Sequence, residues 1–174
     1  MDPLVVAVAQ YALFAVALGA AVVWLRAPRA EKVPFAVAPL VAMVAVAVAV
    51  KLGGTLWIDP RPFVVDGRTP LFPHPADNGF PSDHTALAVA VSAVVMLWSR
   101  RAGAVLLTTA LLIGTARVLA HVHHVPDILA GAAIGIVCAG LGVLVARAPA
   151  VTRLGGRLSG PSRSTPAGAA PRRR

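Results

Sequence analysis

An all-α bundle of helices spanning a membrane is the fold class predicted by this 174-residue sequence, and three observations predict it. Apolar residues make up 57% of the chain and charged ones only 13%, whereas ordinary soluble domains carry about one-quarter charged residues. The apolar residues are gathered in runs long enough to cross a bilayer, which takes about 20 residues. The formal charge of +9 sits mostly at the ends of those runs. There it orients a chain in a membrane and does not form the patch that would make nucleic acid a partner.

The first run covers residues 4 to 25 and is interrupted only by Gln10, Tyr11 and Gly19. The opening Met1-Asp2-Pro3 lacks the positive charge of a signal peptide, so this helix is expected to be retained. A short basic link containing Arg26, Arg29 and Lys32 leads to the second run, residues 33 to 58. Its Val-Ala alternation would suit a strand, but a lone strand in lipid leaves its backbone unpaired, which dictates helix.

Residues 59 to 80 break the pattern with prolines at 60, 62, 70, 73 and 75 and with Asp59, Arg61, Asp66, Arg68, His74 and Asp77. Loops this long are often functional; within it, Arg68 and His74 are expected to be solvated, with contact to a second phosphate as the alternative. The third run ends at Trp98 and is expected to begin near Pro81, because counting from His84 alone gives only roughly 22 Å and proline suits a first helical turn. After Ser99-Arg100-Arg101 come a fourth run, 102 to 121, and a fifth, 126 to 146, making about five transmembrane helices. The single cysteine, Cys138, offers no disulfide framework and reads as a small core residue. Trp57, Trp98 and Phe63 read as interface anchors.

Residues 1–146 are thus expected to form the transmembrane domain. Residues 147–174 hold seven arginines and no acid among Gly, Pro, Ser and Ala, the composition of a basic, disordered tail. Counted by alternate loops, one side of the membrane carries twelve Lys and Arg and the other only Lys51, Arg61, Arg68 and Arg117. The side with twelve is expected to be cytoplasmic, where the tail meets anionic membrane lipids. The long loop and the segment 117 to 127 then face outward.

On that outer side four helix ends converge: Lys51 and Arg61 from the second, Ser82 to His84 from the third, Arg117 to His123 from the fourth and Asp127 from the fifth. Cations, histidines and an amide-rich helix start together describe a site for a multiply charged anion, most simply phosphate. His123 and Asp127 are four residues apart, so the carboxylate can hold one ring nitrogen and leave the other as nucleophile. His84 can protonate a departing oxygen, while Arg61, Arg117, Lys51 and the amides of Ser82 and Asp83 hold phosphoryl oxygens. The arrangement requires no metal and no other cofactor.

Arg61-Pro62, Pro81-Ser82-Asp83-His84 and Arg117 with His123 and Asp127 resemble the three ordered motifs of the type 2 phosphatidic acid phosphatase superfamily, whose site is shared with vanadium haloperoxidases. The resemblance covers roughly residues 51 to 127. It implies a lipid phosphate substrate and a phosphohistidine mechanism in which His123 attacks phosphorus, Asp127 orients it, His84 is the acid and water releases phosphate. Phe80 to Thr85 and Pro60 to Phe63 are similar to the bacitracin-resistance branch, implying undecaprenyl diphosphate as substrate. The chain departs from the family at three places. The first-motif lysine is usual at the position of Gly54, whereas Lys51 lies three residues earlier; Ser is frequent where Ala116 stands, and Gly where Asp83 stands. A carboxylate at 83 is expected to pair with an arginine or with the histidine.

Other readings follow from the same residues. His121 and His124, with His123 and Asp127, have the ligand chemistry of a zinc site, although the neighbouring cations suit an anion better. Phosphatidic acid and phosphatidylglycerol phosphate are alternative substrates, Ser82 an alternative nucleophile, and a small transporter or assembly subunit an alternative class.

Overall fold

A computed structural model describes residues 2–158. The chain folds as α1 (Pro3–Arg26), a 3-10 turn (Arg29–Glu31), α2 (Lys32–Leu56), α3 (Pro62–Asp66), α4 (Asp83–Trp98), α5 (Arg100–Leu119), α6 (Val125–Ala146) and α7 (Pro149–Leu158). No strand occurs among the described residues. Four apolar stretches, Pro3–Arg26, Arg29–Leu56, Arg100–Leu119 and Val125–Ala146, are long enough to cross a membrane. The expected fifth, α4, has 16 residues, or about 24 Å, short of the ~30 Å hydrocarbon layer.

The position of α4 accounts for its length. It packs against α1, α2, α5 and α6, and nine of its residues between Thr85 and Val95 are buried. Surrounded by longer helices, it needs no lipid-facing stripe. Its polar side chains pair internally, as lipid surroundings demand: Ser92 Oγ donates to the Ala88 carbonyl at 2.7 Å. The longer helices instead turn Phe14, Leu18, Val44, Leu112, Ile136 and Leu144 outward, the surface a bilayer would cover.

Small residues let the backbones meet. A Cβ at Gly131 would lie 2.5 Å from the Ser82 carbonyl oxygen, and one at Gly135 2.6 Å from that of Ala86, so α6 lies directly on α4. The spacing of four is the small-residue seam of membrane helix pairs. Trp98, expected at an interface, stacks on Phe35 with ring centroids 4.5 Å apart.

Two segments differ from expectation. The long loop contains the short helix α3, closed by Gly67 at φ 72°, and a bridge between Pro60 and Asn78. The segment expected to be disordered from residue 147 begins with α7, which packs against the 3-10 turn and α2. Val151, Leu154 and Leu158 recur there at helical spacing with Arg153 and Arg157 between them, an amphipathic pattern hidden by the average composition. The rest of the expected tail, 159–174, lies outside the described residues.

Candidate active site

Asp127 is the third residue of α6, where a carboxylate can reach back to the free amide at the helix start. Its Oδ2 accepts from the His124 amide at 2.9 Å and lies 3.2 Å from His123 Nδ1. One oxygen thereby caps the helix and fixes the histidine. With its Nδ1 proton committed to Asp127, His123 presents Nε2, which lies 3.4 Å from Arg61 Nη1. Burial, ahead of the nearby Arg117 and Arg61 charges, pushes the His123 pKa down, while the Asp127 hydrogen bond opposes the shift. The ring is therefore held toward its neutral, nucleophilic form.

Arg61 is only 6% exposed and Arg117 3%. Arg61 donates Nη1 to the Val122 carbonyl at 2.8 Å and Nε to Asp77 at 2.7 Å. Arg117 donates Nη1 to the Ala9 carbonyl of α1 at 3.2 Å, and its Nη2 lies 3.1 Å from His74 Nε2. Its Nε is buried without a partner. A buried guanidinium with a free N–H and no carboxylate bound to it is short of an anion.

His74, expected in solvent, thus accepts a bond from Arg117 while its Nδ1 faces the Pro75 carbonyl at 3.3 Å. Burial first, then the charges of Arg61 and Arg117, hold its pKa below the ordinary imidazole value, against the raising effect of the Pro75 bond. The loop is held at the site on both sides of His74, by the Leu71 amide on the Ala120 carbonyl at 3.1 Å and by Asp77 on Arg61, which side-chain polarity alone does not reveal.

Ser82 caps α4, its hydroxyl 3.0 Å from Thr85 Oγ1, and its amide donates to the Asp127 carbonyl at 3.1 Å. Being fully buried and committed at both groups, Ser82 braces the two helix starts and has no amide proton to spare for phosphate. Asp83 pairs with His84, Oδ1 to Nδ1 at 2.8 Å, meeting the expectation that this carboxylate needs a partner. His84 Nε2 has no partner among the described residues.

Lys51 is exposed and makes no hydrogen bond or ion pair among the described residues. The buried stripe of α2 runs through Phe35, Ala38, Ala42 and Val46, and Lys51 lies about 140° round the helix from Val46 at 3.6 residues per turn. Gly54 faces the site-forming loop instead, its carbonyl accepting from Asn78 Nδ2 at 2.9 Å. Ala116 is buried in an apolar cluster with Ala9, Phe72, Ala120 and Val122 beneath the site.

His121 is drawn away from the other histidines. It follows α5 with φ 65°, and its Nε2 lies 2.8 Å from Asp66 Oδ2. That hydrogen bond, before the Arg68 amide, keeps the Asp66 pKa below the usual carboxylate range. The alternative zinc set of His121, His123, His124 and Asp127 is therefore not assembled in full, since His121 is held by Asp66. A different group, Asp59, His124 and Asp127, brings one ligand atom each within 4.8 Å of one another.

Several supporting residues escaped sequence reasoning. Asn78 accepts from the Asp59 and Phe80 amides at 2.9 and 3.1 Å and donates to Gly54 and Trp57, locking the loop to the end of α2. A Cβ at Gly79 would lie 3.2 Å from Asp127 Oδ2. The Asn78-Gly79 pair is a turn signal, the one hint that the sequence offered.

The family model of the PAP2 superfamily matches residues 35–149, from α2 to the start of α7. The chain is 31% identical over 139 residues to the undecaprenyl-diphosphatase BcrC of Bacillus subtilis (strain 168), covering 79% of this chain and 70% of that protein. It is 30% identical over 140 residues to the bacitracin transport permease protein BcrC of Bacillus licheniformis, covering 80% and 68%. The crystal structure of Aquifex aeolicus LpxE superposes with a TM-score of 0.65 at 26% identity, covering 83% of this chain and 87% of that one. A multi-pass helical bundle with this match over most of its length belongs to the PAP2 superfamily, and the chain is a membrane phosphoric-ester hydrolase.

Proposed function

We propose that this enzyme hydrolyses undecaprenyl diphosphate to undecaprenyl phosphate at the extracytoplasmic face, through a phosphohistidine on His123. The observation that carries the chemistry is a neutral-held imidazole nitrogen beside two buried arginines, one of them with an unpartnered Nε. The choice of lipid rests on the name of the Bacillus subtilis relative. In the first step His123 Nε2 bonds to the terminal phosphorus while the bridging P–O bond breaks; the leaving lipid phosphate takes its charge, with a proton from His84. Asp127 keeps the Nδ1 proton in place, and Arg61 and Arg117 hold the phosphoryl oxygens as charge moves. In the second step water, giving its proton to His84, attacks phosphorus, the N–P bond breaks and inorganic phosphate leaves. Residues 1–146 are the catalytic domain in this reading, with the basic segment after them on the cytoplasmic side.

Phosphate release from undecaprenyl diphosphate, phosphatidic acid and phosphatidylglycerol phosphate tests this with purified protein in detergent. The diphosphate is expected to have the highest kcat/KM, and brief labelling should trap an acid-labile phosphoenzyme. His123→Ala should release no phosphate; turnover by that variant would sink the mechanism and return attention to transport, the activity named for the Bacillus licheniformis relative. A preference for phosphatidic acid would replace the substrate alone. For the membrane side, a Thr69→Cys substitution in a Cys138→Ala background should react with an impermeant maleimide added to intact cells; protection there with labelling in inverted vesicles would reverse the orientation.

A further inference from the structure

We propose that His124 and Asp59 form a second imidazole–carboxylate pair that positions Asp127, and through it His123; the inference rests on the reading of His123 as nucleophile. Asp127 is fully buried, and only its Oδ2 is engaged by hydrogen bonds. Its Oδ1 is buried without a partner, and so is His124 Nδ1. Two such atoms of complementary kind in one small cluster are unusual, because buried polar atoms are nearly always paired. His124 Nδ1 lies 3.3 Å from Asp59 Oδ2, without the alignment of a hydrogen bond, and the ligand atoms of Asp59, His124 and Asp127 fall within 4.8 Å of one another.

His124 therefore holds the orienting carboxylate in two ways. Its main-chain amide binds Oδ2 at 2.9 Å, and its ring Nδ1 lies beside Asp59, whose carboxylate shares the cluster with Asp127. Two carboxyl groups meet in this cluster, and an Nδ1–H would offer them a shared donor. Asp59 is fixed in turn: its amide donates to Asn78 Oδ1 at 2.9 Å and its carbonyl accepts from Gly79 at 2.9 Å. The pair thus ties the frame at the end of α2 to the first turn of α6, where small displacements of Asp127 would move the attacking nitrogen.

A positioning role predicts an effect on turnover without one on substrate affinity. His124→Ala should lower kcat about ten- to a hundredfold, the range typical of outer partners that orient a reacting group, with KM unchanged. His124→Asn, whose amide nitrogen occupies the place of Nδ1, should recover to within about threefold of the parent, and the double variant His124→Ala/Asp59→Ala should lose little beyond the worse single change, as one unit does. Asp59→Asn, which keeps the side-chain shape, carries the same kcat test should His124→Ala fail to fold in detergent. A rise in KM at constant kcat, additive losses, or no rescue by asparagine would overturn the proposal. So would inactivation by EDTA with recovery on added zinc or magnesium, which would make the trio a metal site. His123→Ala measured alongside separates the two readings: an inert His123 variant with an unaffected His124→Ala rejects only the positioning role, whereas an active His123 variant rejects the nucleophile itself.

Discussion

Among the described residues, His123–Asp127 and His84–Asp83 are two histidine–aspartate pairs whose carboxylate also caps a helix start, and they are built differently. In the first, His123 and Asp127 are 2% and 0% exposed with N and O 3.2 Å apart. In the second, His84 and Asp83 are 31% and 57% exposed and 2.8 Å apart. The closer contact is therefore the wetter one. Each carboxylate also accepts a main-chain amide at the start of its helix, from His124 and from His84, so the local geometry is similar and burial is what separates them. Solvent screens the outer pair and leaves its ring free to meet a substrate oxygen, whereas the inner pair keeps one tautomer and one orientation. That division suits an attacking nitrogen inside and a proton donor outside.

Replacing the buried carboxylate should break the comparison most severely. Asp127→Asn keeps the shape but can stabilise the wrong ring tautomer, and kcat is expected to fall about 10⁴-fold, read as steady-state phosphate release. His84→Ala should cost less, about 10²-fold, and less on a lipid diphosphate than on a lipid monophosphate because the departing phosphate needs a proton less. Equal losses on both substrates would remove His84 from leaving-group chemistry. The smallest effect is a displacement in pH. Since burial and the arginines lower the His123 pKa, and the neutral form is the proposed nucleophile, activity should be lost only as pH falls through a range below the ordinary imidazole value of about 6.5. A kcat/KM profile with its acid limb at or above that value would contradict the buried, neutral nucleophile.

Much of this arrangement was legible because it depends on spacing along helices. Apolar runs mark the spanning helices, and the intervals between Arg117, His123 and Asp127 carry over directly to one end of α5 and α6. What could not be read depends on chain reversal. Asn78 reaches the end of α2 across 24 residues, and Ala9 meets Arg117 across 108, through backbone carbonyls that any residue provides. His74 looked solvated because its loop looked unstructured, yet the loop returns it to Arg117. Lys51 looked competent by charge, but the packing stripe of α2 turns it away. The helix α7 is hidden by the arginine and glycine content of its segment and shows only in the periodicity of Val151, Leu154 and Leu158.

The glycine contact between α6 and α4 has a mechanical consequence. With no side chain at Gly131 between the backbones, and with the Ser82 amide bonded to the Asp127 carbonyl, the two helix starts behave as one stiff piece. A bilayer that thins or thickens is accommodated by tilting of the spanning helices, and α4, bonded to α6 at its start, would tilt with it and keep the interval between Ser82 and Asp127. The interval between these two helix starts is in this way set by backbone meeting backbone and not by the lipid around them.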